Sequence, residues 1–200
     1  MPQHLSEQIL QHSRQLPGGG PIAAKSLLHL GSRAAVDQAL SRLTERGQLV
    51  RVGRGVYLPP VKGRFGTRLP SVEEAVEAIA LQRGEVIVPS GATAANELGL
   101  TLQVPVRPVY WTSGRTRQMN LGKQVVEFRH APRWQLALAQ KPAGQAVRAL
   151  AWLGPEKAEP ALQTLKRKLP AAAFRELVEA VPQLPTWLAQ SVSKTQYGDG

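Results

Sequence analysis

The chain has 200 residues, a formal net charge of +11 and no cysteine, so disulfides and thiolate metal sites are excluded. Its first residues, MPQHLSEQ, lack the pattern of a signal peptide, and no apolar run reaches the roughly eighteen residues that a membrane span needs. These features predict a cytoplasmic protein with no membrane partner, built as one large or two small domains.

The positive charge is concentrated in the first part of the chain. Residues 1–70 contain ten lysines and arginines against three acids, a net charge of +7. The other 130 residues contain fifteen against eleven, a net charge of +4. A protein that grips DNA neutralises phosphates with such side chains, so this distribution favours a nucleic-acid partner. An anionic membrane is less favoured, because no helix combines a wide apolar face with a basic one.

Three helices are predicted at the start of the chain. The first spans Leu5–Leu16 and ends at Pro17-Gly18-Gly19-Gly20. The second spans Ile22–Leu30 and stops at Gly31, and the third spans Ser32–Arg46. A glycine between the second and third helices suits the tight turn of a helix-turn-helix.

The third helix has the clearest local signals. Ser32 is predicted to cap its first turn, and Gly47 follows its last turn, where a left-handed residue is favoured. Its apolar stripe at helical spacing consists of Ala35, Val36, Ala39, Leu40 and Leu43. The face pointing away consists of Ala34, Asp37, Gln38, Ser41 and Glu45, flanked by Arg33 and Arg42. Small and amide side chains there can approach base edges in the major groove.

A basic hairpin is predicted directly after this helix. Leu49–Leu58 contains β-branched residues around Gly53-Arg54-Gly55, which places the Arg54 guanidinium at an exposed tip. Residues 1–60 therefore predict a winged helix-turn-helix that binds DNA. The alternative is a small helical domain with a solvated basic face. The predicted DNA-binding residues are Lys25, Ser32, Arg33, Ala34, Gln38, Ser41, Arg42, Arg51 and Arg54.

The rest of the chain predicts a mixed α/β domain that ends in helices, and hence an α+β protein. Residues 61–70 are predicted as a linker, 71–192 as the domain and 193–200 as a flexible tail. Helices are predicted at Ser71–Arg83, with Ser71 and Glu74 as a capping box, and at Ala92–Leu98, Ala143–Leu153, Glu159–Leu169, Ala171–Val181 and around Trp187. Strands are predicted at Glu85–Val88, Arg117–Leu121, Val125–His130 and Val104–Trp111, the last at a sheet edge because of its prolines.

Catalytic chemistry finds little support in the sequence. Metal-dependent nucleases need clustered carboxylates, and the nearest match in this sequence is Glu127 on a predicted strand with Glu97 upstream. An acidic residue on the solvent-exposed face of a strand explains Glu127 better than a metal site does. The four histidines do not have metal-ligand spacing. We predict no enzyme activity, no catalytic residue, no metal and no cofactor.

The strand region instead combines basic and aromatic side chains, a pattern typical of nucleic-acid surfaces and of protein hot spots. The residues are Arg107, Arg115, Arg117, Lys123, Arg129 and Arg133 with Tyr110, Trp111 and Trp134. The alternative is equally open: one of Tyr110 and Trp111 lies in the core of a sheet and the arginines are simply solvated.

Three segments together resemble the AbiE-type (AbiEi) antitoxin family of winged-helix regulators: GSRAAVDQALSRLTERGQLVRVGRGVY, VPSGATAANELGLTLQVP and VYWTSGRTR. The resemblance implies binding to promoter inverted repeats and autorepression. We expect the protein to bind such DNA as a homodimer. The resemblance also implies antagonism of a nucleotidyltransferase-like toxin, which need not involve a stable complex. Carried over, Arg33, Gln38, Ser41 and Arg42 would be helix contacts, Arg51 and Arg54 wing contacts, and Tyr57 a packing residue.

Two alternatives to an autorepressing antitoxin remain at this stage. One is a stand-alone regulator of a mobile element, whose second domain serves dimerisation or effector binding; a neighbouring nucleotidyltransferase gene would favour the antitoxin over it. The other is a nuclease-like enzyme, which Mg²⁺-dependent cleavage lost in Glu127→Ala would favour.

Overall fold

The structure, a computed structural model, describes residues 2–16, 20–64 and 66–198. It confirms the α+β class, since helices alternate with three small sheets. The chain divides into two units. Unit 1 contains Met1–Glu85 and Gln118–Val126, and unit 2 contains Val86–Arg117 and Glu127–Gly200. None of the helices in the described ranges combines the length and the hydropathy that crossing a bilayer requires.

Unit 1 begins with helical segments. Helix α1 spans Pro2–Gln15, a 3-10 helix spans Ala24–Leu27, and helix α2 spans Arg33–Glu45. The predictions for α1 and α2 are confirmed, and Gly47 has the left-handed φ of +65° expected after α2. The predicted stop of α1 at Pro17–Gly19 lies outside the described residues. The apolar side of α2 is buried in a core that also takes Ile9, Ile22, Ala24, Leu27, Leu49 and Tyr57.

The helix predicted over Ile22–Leu30 is wrong. Ile22–Ala23 forms strand β1, which pairs antiparallel with a later strand through Ile22 and Tyr57, and only the 3-10 helix follows it. Ile22 is buried in the core. The segment between Pro21 and Gly31 is too short for a stable isolated helix, so sheet pairing and burial of a β-branched side chain decide its conformation.

The predicted hairpin is confirmed as strands β2 (Val50–Gly53) and β3 (Val56–Leu58), which complete a sheet in the order β1-β3-β2. The tight turn consists of Arg54 and Gly55. A bulge between Arg51 and Gly53 shifts the register. Because β2 is last in this strand order, it lies at an edge of the sheet, and within the described part of the chain one of its sides has no partner strand.

The segment predicted as a linker contains a small ladder. Strands β4 (Val61–Gly63) and β5 (Gly66–Arg68) pair antiparallel, with Val61 opposite Arg68 and Gly63 opposite Gly66. The basic side chains Lys62 and Arg68 are exposed on this ladder. Glycine and basic residues had indicated a loop, whereas backbone pairing at short range produces a hairpin.

Helix α3 (Val72–Arg83) belongs to unit 1, although the sequence had placed it at the start of a second domain. Its capping box is confirmed: Glu74 Oε2 accepts from the Ser71 backbone N–H at 2.6 Å, and Ser71 Oγ accepts from the Glu74 N–H at 3.2 Å. Its buried side chain Ile79 lies against Gly53, where an added Cβ would be 3.7 Å from it. Gln82 Nε2 donates to the Pro21 carbonyl at 3.0 Å.

A four-stranded sheet has the order β6-β7-β9-β8. Its strands are β6 (Ile87–Pro89), β7 (Val109–Thr112), β8 (Arg117–Leu121) and β9 (Gln124–His130). The prediction that the strand ending at Trp111 lies at an edge is wrong, because β7 pairs antiparallel with β6 and parallel with β9. The strand begins only after Pro108, so the residues without a backbone N–H stay outside the ladder.

Unit 2 contains several helices, and those predicted from the sequence are confirmed with shifted ends. The helices are α4 (Gly91–Glu97), α5 (Arg133–Leu136), α6 (Pro142–Leu153), α7 (Pro155–Lys168), α8 (Ala171–Glu179), a 3-10 helix (Val181–Gln183) and α9 (Thr186–Tyr197). The tail predicted to be flexible from Ser193 is helical as far as Tyr197. Thr195 is buried there, and its backbone carbonyl accepts from Lys166 Nζ of α7 at 3.0 Å, so packing against α7 accounts for the extra helical turn.

Helices α4 and α6 approach closely at Gly91. A Cβ at this position would lie 2.5 Å from the Arg148 carbonyl oxygen and 2.7 Å from Trp152 Cβ. We expect Gly91→Ala to destabilise the protein by about 1–3 kcal/mol, because the added methyl overpacks a contact with backbone. Urea unfolding of the variant measures this. Gly31→Ala is the control, since its Cβ would meet nothing closer than 3.6 Å. Equal stability of the two variants would contradict the close approach.

Candidate nucleic-acid interface

The outer face of α2 is a solvent-exposed strip, and the opposite side of the helix buries Val36, Ala39, Leu40 and Leu43. Val36, Leu40 and Leu43 on the inner side are at most 1 % exposed. On the outer side the exposed residues are Arg33, Ala34, Asp37, Gln38, Ser41 and Glu45. The core contact fixes the rotation of the helix about its axis, so the same side chains always face solvent. We call this exposed strip the α2 face.

An ion pair organises the first turns of the α2 face. Arg33 Nε donates to Asp37 Oδ2 at 2.8 Å, and both side chains are about half exposed. The bond uses Nε, so both Nη groups of Arg33 remain for a ligand. An exposed pair of this spacing contributes only about 0.3–0.5 kcal/mol to stability, so its main consequence is the orientation of the guanidinium.

Two other predicted DNA-contact residues, Ser32 and Ser41, already make hydrogen bonds within α2 or at its start. Ser32 Oγ accepts from the Ala35 N–H at 3.3 Å, which confirms the predicted cap. Ser41 Oγ donates to Glu45 Oε1 at 3.2 Å. Arg42 is half-buried at the flank of the face, where the sequence placed it. Ala34 and Gln38 therefore form the freest part of the strip, beside the oriented Arg33.

The hairpin turn is tied to the 3-10 helix that precedes α2. The Ala24 N–H donates to the Gly55 carbonyl at 2.9 Å. Lys25 and Arg54 each lie one residue from this hydrogen bond, and both are exposed. Arg51 is exposed on the edge strand β2. Lys25, Arg51 and Arg54 therefore lie on two segments, the 3-10 helix and the hairpin, that a backbone hydrogen bond joins.

Another basic residue of unit 1 is committed to a carboxylate. Arg68 Nη1 and Nη2 donate to the two oxygens of Glu74, each at 3.0 Å. The hydrogen bonds from Arg68, together with the one from the Ser71 N–H, lower the pKa of Glu74. The partnership with Glu74 likewise raises the pKa of Arg68. Arg68 is therefore less available to phosphates than Arg51 or Arg54.

The basic and aromatic residues of the strand region do not form one uniform surface. Arg129 pairs with Glu127 at 2.8 Å, and the Arg117 guanidinium lies 4.7 Å from the ring centre of the buried Phe128. Tyr110 and Trp111 are both half-buried, and Trp134 packs on the helical core. Arg107, Arg115 and Arg133 remain exposed. Two of the arginines therefore contact neighbours on the sheet, the others and Lys123 are exposed, and neither Tyr110 nor Trp111 is fully buried in the core.

Glu127, the best nuclease-like carboxylate of the sequence, is the partner of Arg129. Glu97 lies on α4 and accepts from Gln145 Nε2 at 2.6 Å. In the part of the chain that the structure describes, no group of three histidines and acids is placed to hold a metal ion. The two carboxylates have separate partners and are not brought together by any contact between them.

The sequence reasoning missed two features of the structure. Asp37 was placed on the outer face without a role, although its spacing from Arg33 is that of a helical ion pair. Arg148 is only 3 % exposed, in the middle of helix α6. A single arginine inside the apolar run AVRALAWL is a signal that could have drawn attention to it, because arginine is rarely buried without a partner.

Comparison with known proteins gives one family. A sequence model of DUF6088, described as a family of unknown function, matches residues 8–171. No curated protein matches the chain. The matched range runs from α1 to the first residue of α8, so it includes the α2 face, the hairpin and most of unit 2.

Proposed function

Because the chain belongs to the DUF6088 family, whose function is unknown, we propose a function from its own residues: it is a DNA-binding transcriptional regulator. The observation that carries the proposal is the α2 face. It offers a base-reading set of Arg33, Ala34 and Gln38 on a helix whose rotation is fixed by its buried side. In this reading the protein acts in the cytoplasm on double-stranded DNA.

Base readout by the α2 face has a simple chemistry. With Nε held by Asp37, the two Nη groups of Arg33 match the O6 and N7 acceptors of guanine. The exposed amide of Gln38 matches the N6 and N7 atoms of adenine. Ala34, one residue after Arg33, adds little bulk and lets the helix enter the major groove deeply. The face is therefore suited to discrimination rather than to charge alone.

The hairpin and the 3-10 helix supply the backbone contacts in this proposal. The order helix, strand, helical turn, helix, strand, strand supports a winged helix, with β1 joining the sheet of the wing. Arg51 and Arg54 lie on the wing, and Lys25 lies on the helical turn that is bonded to it. Phosphate contacts from such residues set register and orientation but carry no sequence information.

The resemblance to AbiE-type antitoxins extends the proposal to regulation of the protein's own operon. We propose that a homodimer binds promoter inverted repeats, with half-sites about one helical turn or a multiple apart. The protein would also counteract a nucleotidyltransferase-like toxin. Co-expression with the neighbouring reading frame tests this part: the protein should restore growth that the neighbour's expression inhibits, and a lack of rescue would remove the antitoxin role while leaving DNA binding intact.

Selection of bound sequences tests DNA recognition directly. Full-length protein is incubated with a random duplex library, and the retained DNA is sequenced through successive rounds. We expect enrichment of a motif with two inverted half-sites, also found upstream of the gene and protected there in footprinting. Retained DNA with no common motif would contradict sequence-specific regulation.

The ion pair on the α2 face yields a variant with opposite effects on two DNAs. Asp37→Ala removes a negative charge, so binding to random duplex should strengthen slightly. It also frees the Arg33 guanidinium, so the preference for the selected site should fall about fivefold, the lower end of what a full base contact is worth. Competition binding measures both. Glu7→Ala, which removes an exposed acid of α1, is the matched control, and an equal loss of preference there would contradict the role of Asp37.

A further inference from the structure

A cavity of about 190 Å³ lies in unit 2 at the beginning of helix α6. Arg148 lines it from within the helical core, and Glu97, Lys141 and Gln145 line its outer part. The volume equals about six waters at their density in the liquid, which is the space that a very small metabolite fills. The cavity plays no part in the proposed DNA contacts, all of which are in unit 1.

Arg148 is a buried cation with unused hydrogen-bonding capacity. It is 3 % exposed, Nη1 donates to the Ala139 carbonyl at 3.0 Å, and Nε has no hydrogen-bond partner in the described structure. Burying a charged donor without a full set of partners is unfavourable, and such groups mark sites that a ligand completes. Burial lowers the pKa of Arg148 to about 10, and the Glu97 carboxylate opposes this shift. The guanidinium is thus a cation at neutral pH.

Lys141 and Pro142 at the start of α6 line the same cavity. Lys141 precedes the helix and makes no side-chain cap, and Pro142 occupies its first turn. The first free backbone N–H groups of α6 belong to Ala143 and Gly144, which do not line the cavity, so only the dipole of the helix favours an anion there. Lys141, Gln145 and Arg148 are spaced so that they share one face of the helix. Lys141 is already paired with Glu176 at 2.8 Å, so the buried guanidinium is the principal cation facing the cavity.

The other side of the cavity is acidic. Glu97 at the end of α4 accepts a hydrogen bond from Gln145 Nε2 at 2.6 Å, which holds the carboxylate at the rim. A dianion such as phosphate would be repelled by Glu97. A ligand that carries one negative and one positive group would instead satisfy Arg148 and Glu97 together.

The backbone beside Arg148 is held in a specific conformation. Leu138 has a φ of +55°, unusual for a residue with a side chain, and its carbonyl accepts from the Lys141 N–H at 2.7 Å. This tight turn fixes the Ala139 carbonyl that Arg148 contacts. The guanidinium is therefore positioned before any ligand enters, which reduces the ordering needed on binding.

We propose that this cavity binds a small free amino acid, whose carboxylate contacts Arg148 and whose ammonium contacts Glu97. The ligand would be an effector of the protein rather than a substrate. Its binding does not depend on the DNA-binding function, so either proposal can fail without the other.

Isothermal titration calorimetry of the full-length protein tests the proposal with glycine, L-alanine and L-serine as separate probes. L-Alanine amide, which lacks the carboxylate, propionate, which lacks the ammonium, and inorganic phosphate serve as comparisons. We expect the amino acids to bind, and each comparison to bind at least about tenfold more weakly, since a hydrogen bond to a charged group is lost. Absence of binding by all three amino acids, or equal binding of propionate or phosphate, would overturn the proposal.

Variants assign the binding to this cavity. Glu97→Gln at the exposed rim keeps the shape of the side chain and should weaken amino-acid binding by about tenfold or more. Arg148→Lys should do the same if it folds, and Glu97→Gln decides the question if it does not. Glu159→Gln, in an exposed ion pair with Lys194, is the control and should bind as the parent protein does. Unchanged affinity in Glu97→Gln would overturn the proposed site.

Discussion

Raising the salt concentration from about 50 to 200 mM should weaken duplex binding by the full-length protein by roughly 10²- to 10⁴-fold. The expectation follows from the exposed cations of unit 1. If they neutralise about five to eight phosphates, the slope of log affinity against log salt is about −4 to −7. Fluorescence anisotropy on a labelled duplex across a salt series measures the slope. A slope near zero would exclude the proposed footprint.

Variants that each remove one positive charge show which residues contribute to the slope of log affinity against log salt. Arg51→Gln and Arg54→Gln should each make the slope shallower by about 0.9, the value expected for one phosphate contact on B-DNA. Arg175→Gln on α8 is the matched control, because it removes an equally exposed positive charge from unit 2. If all three variants shift the slope alike, the effect reflects net charge and the assignment of contacts to the wing is wrong.

Replacing the base-reading residues should lower the preference for the selected site more than the affinity for duplex DNA in general. Arg33→Ala or Gln38→Ala should cost about 1–3 kcal/mol at the contacted base pair, which is roughly a 5- to 150-fold loss of preference for the selected site over a site mutated at that pair. Arg54→Ala should weaken binding to selected and random duplexes by similar factors, since a wing arginine meets the backbone or a degenerate minor groove.

Competition between the two duplexes decides this assignment. The selected DNA is mutated one base pair at a time, so that a lost contact appears as indifference at a single position. Ser41→Ala serves as a further comparison, because its hydroxyl already donates to Glu45 and should matter less. If Arg54→Ala abolishes the preference while Arg33→Ala leaves it intact, the roles of wing and helix are the reverse of those proposed.

The division into units determines how the protein should be cut for experiments. The sequence predicted a boundary after Pro70, but α3 packs on the hairpin through Ile79 and is bonded to Pro21 through Gln82. Truncation at Pro70 would remove that helix and expose the apolar surface that it covers. Experiments on DNA binding therefore use the full chain, in which both units are complete.

Local signals alone were enough for several elements. The start of α2 at Ser32, its apolar stripe and its end before Gly47 could be read from the sequence, because capping bonds and i, i+4 contacts lie within one or two turns. The capping box of α3 and the hairpin around Arg54 were read in the same way. The composition of the α2 face followed from these limits, since the buried stripe determines which residues point outwards.

Long-range pairing was decided only by the tertiary structure. Ile22–Ala23 is a strand because it pairs with β3, and its partner Tyr57 is too far along the chain for a local pattern to reveal the pairing. Strand β7 is internal because β6 and β9 pair with it on its two sides. Arg148 and Glu97 are 51 positions apart and reach the same cavity only when α4 and α6 pack together. Sequence patterns report hydrogen bonds between neighbours along the chain, whereas these contacts depend on which distant surfaces meet when the apolar core is buried.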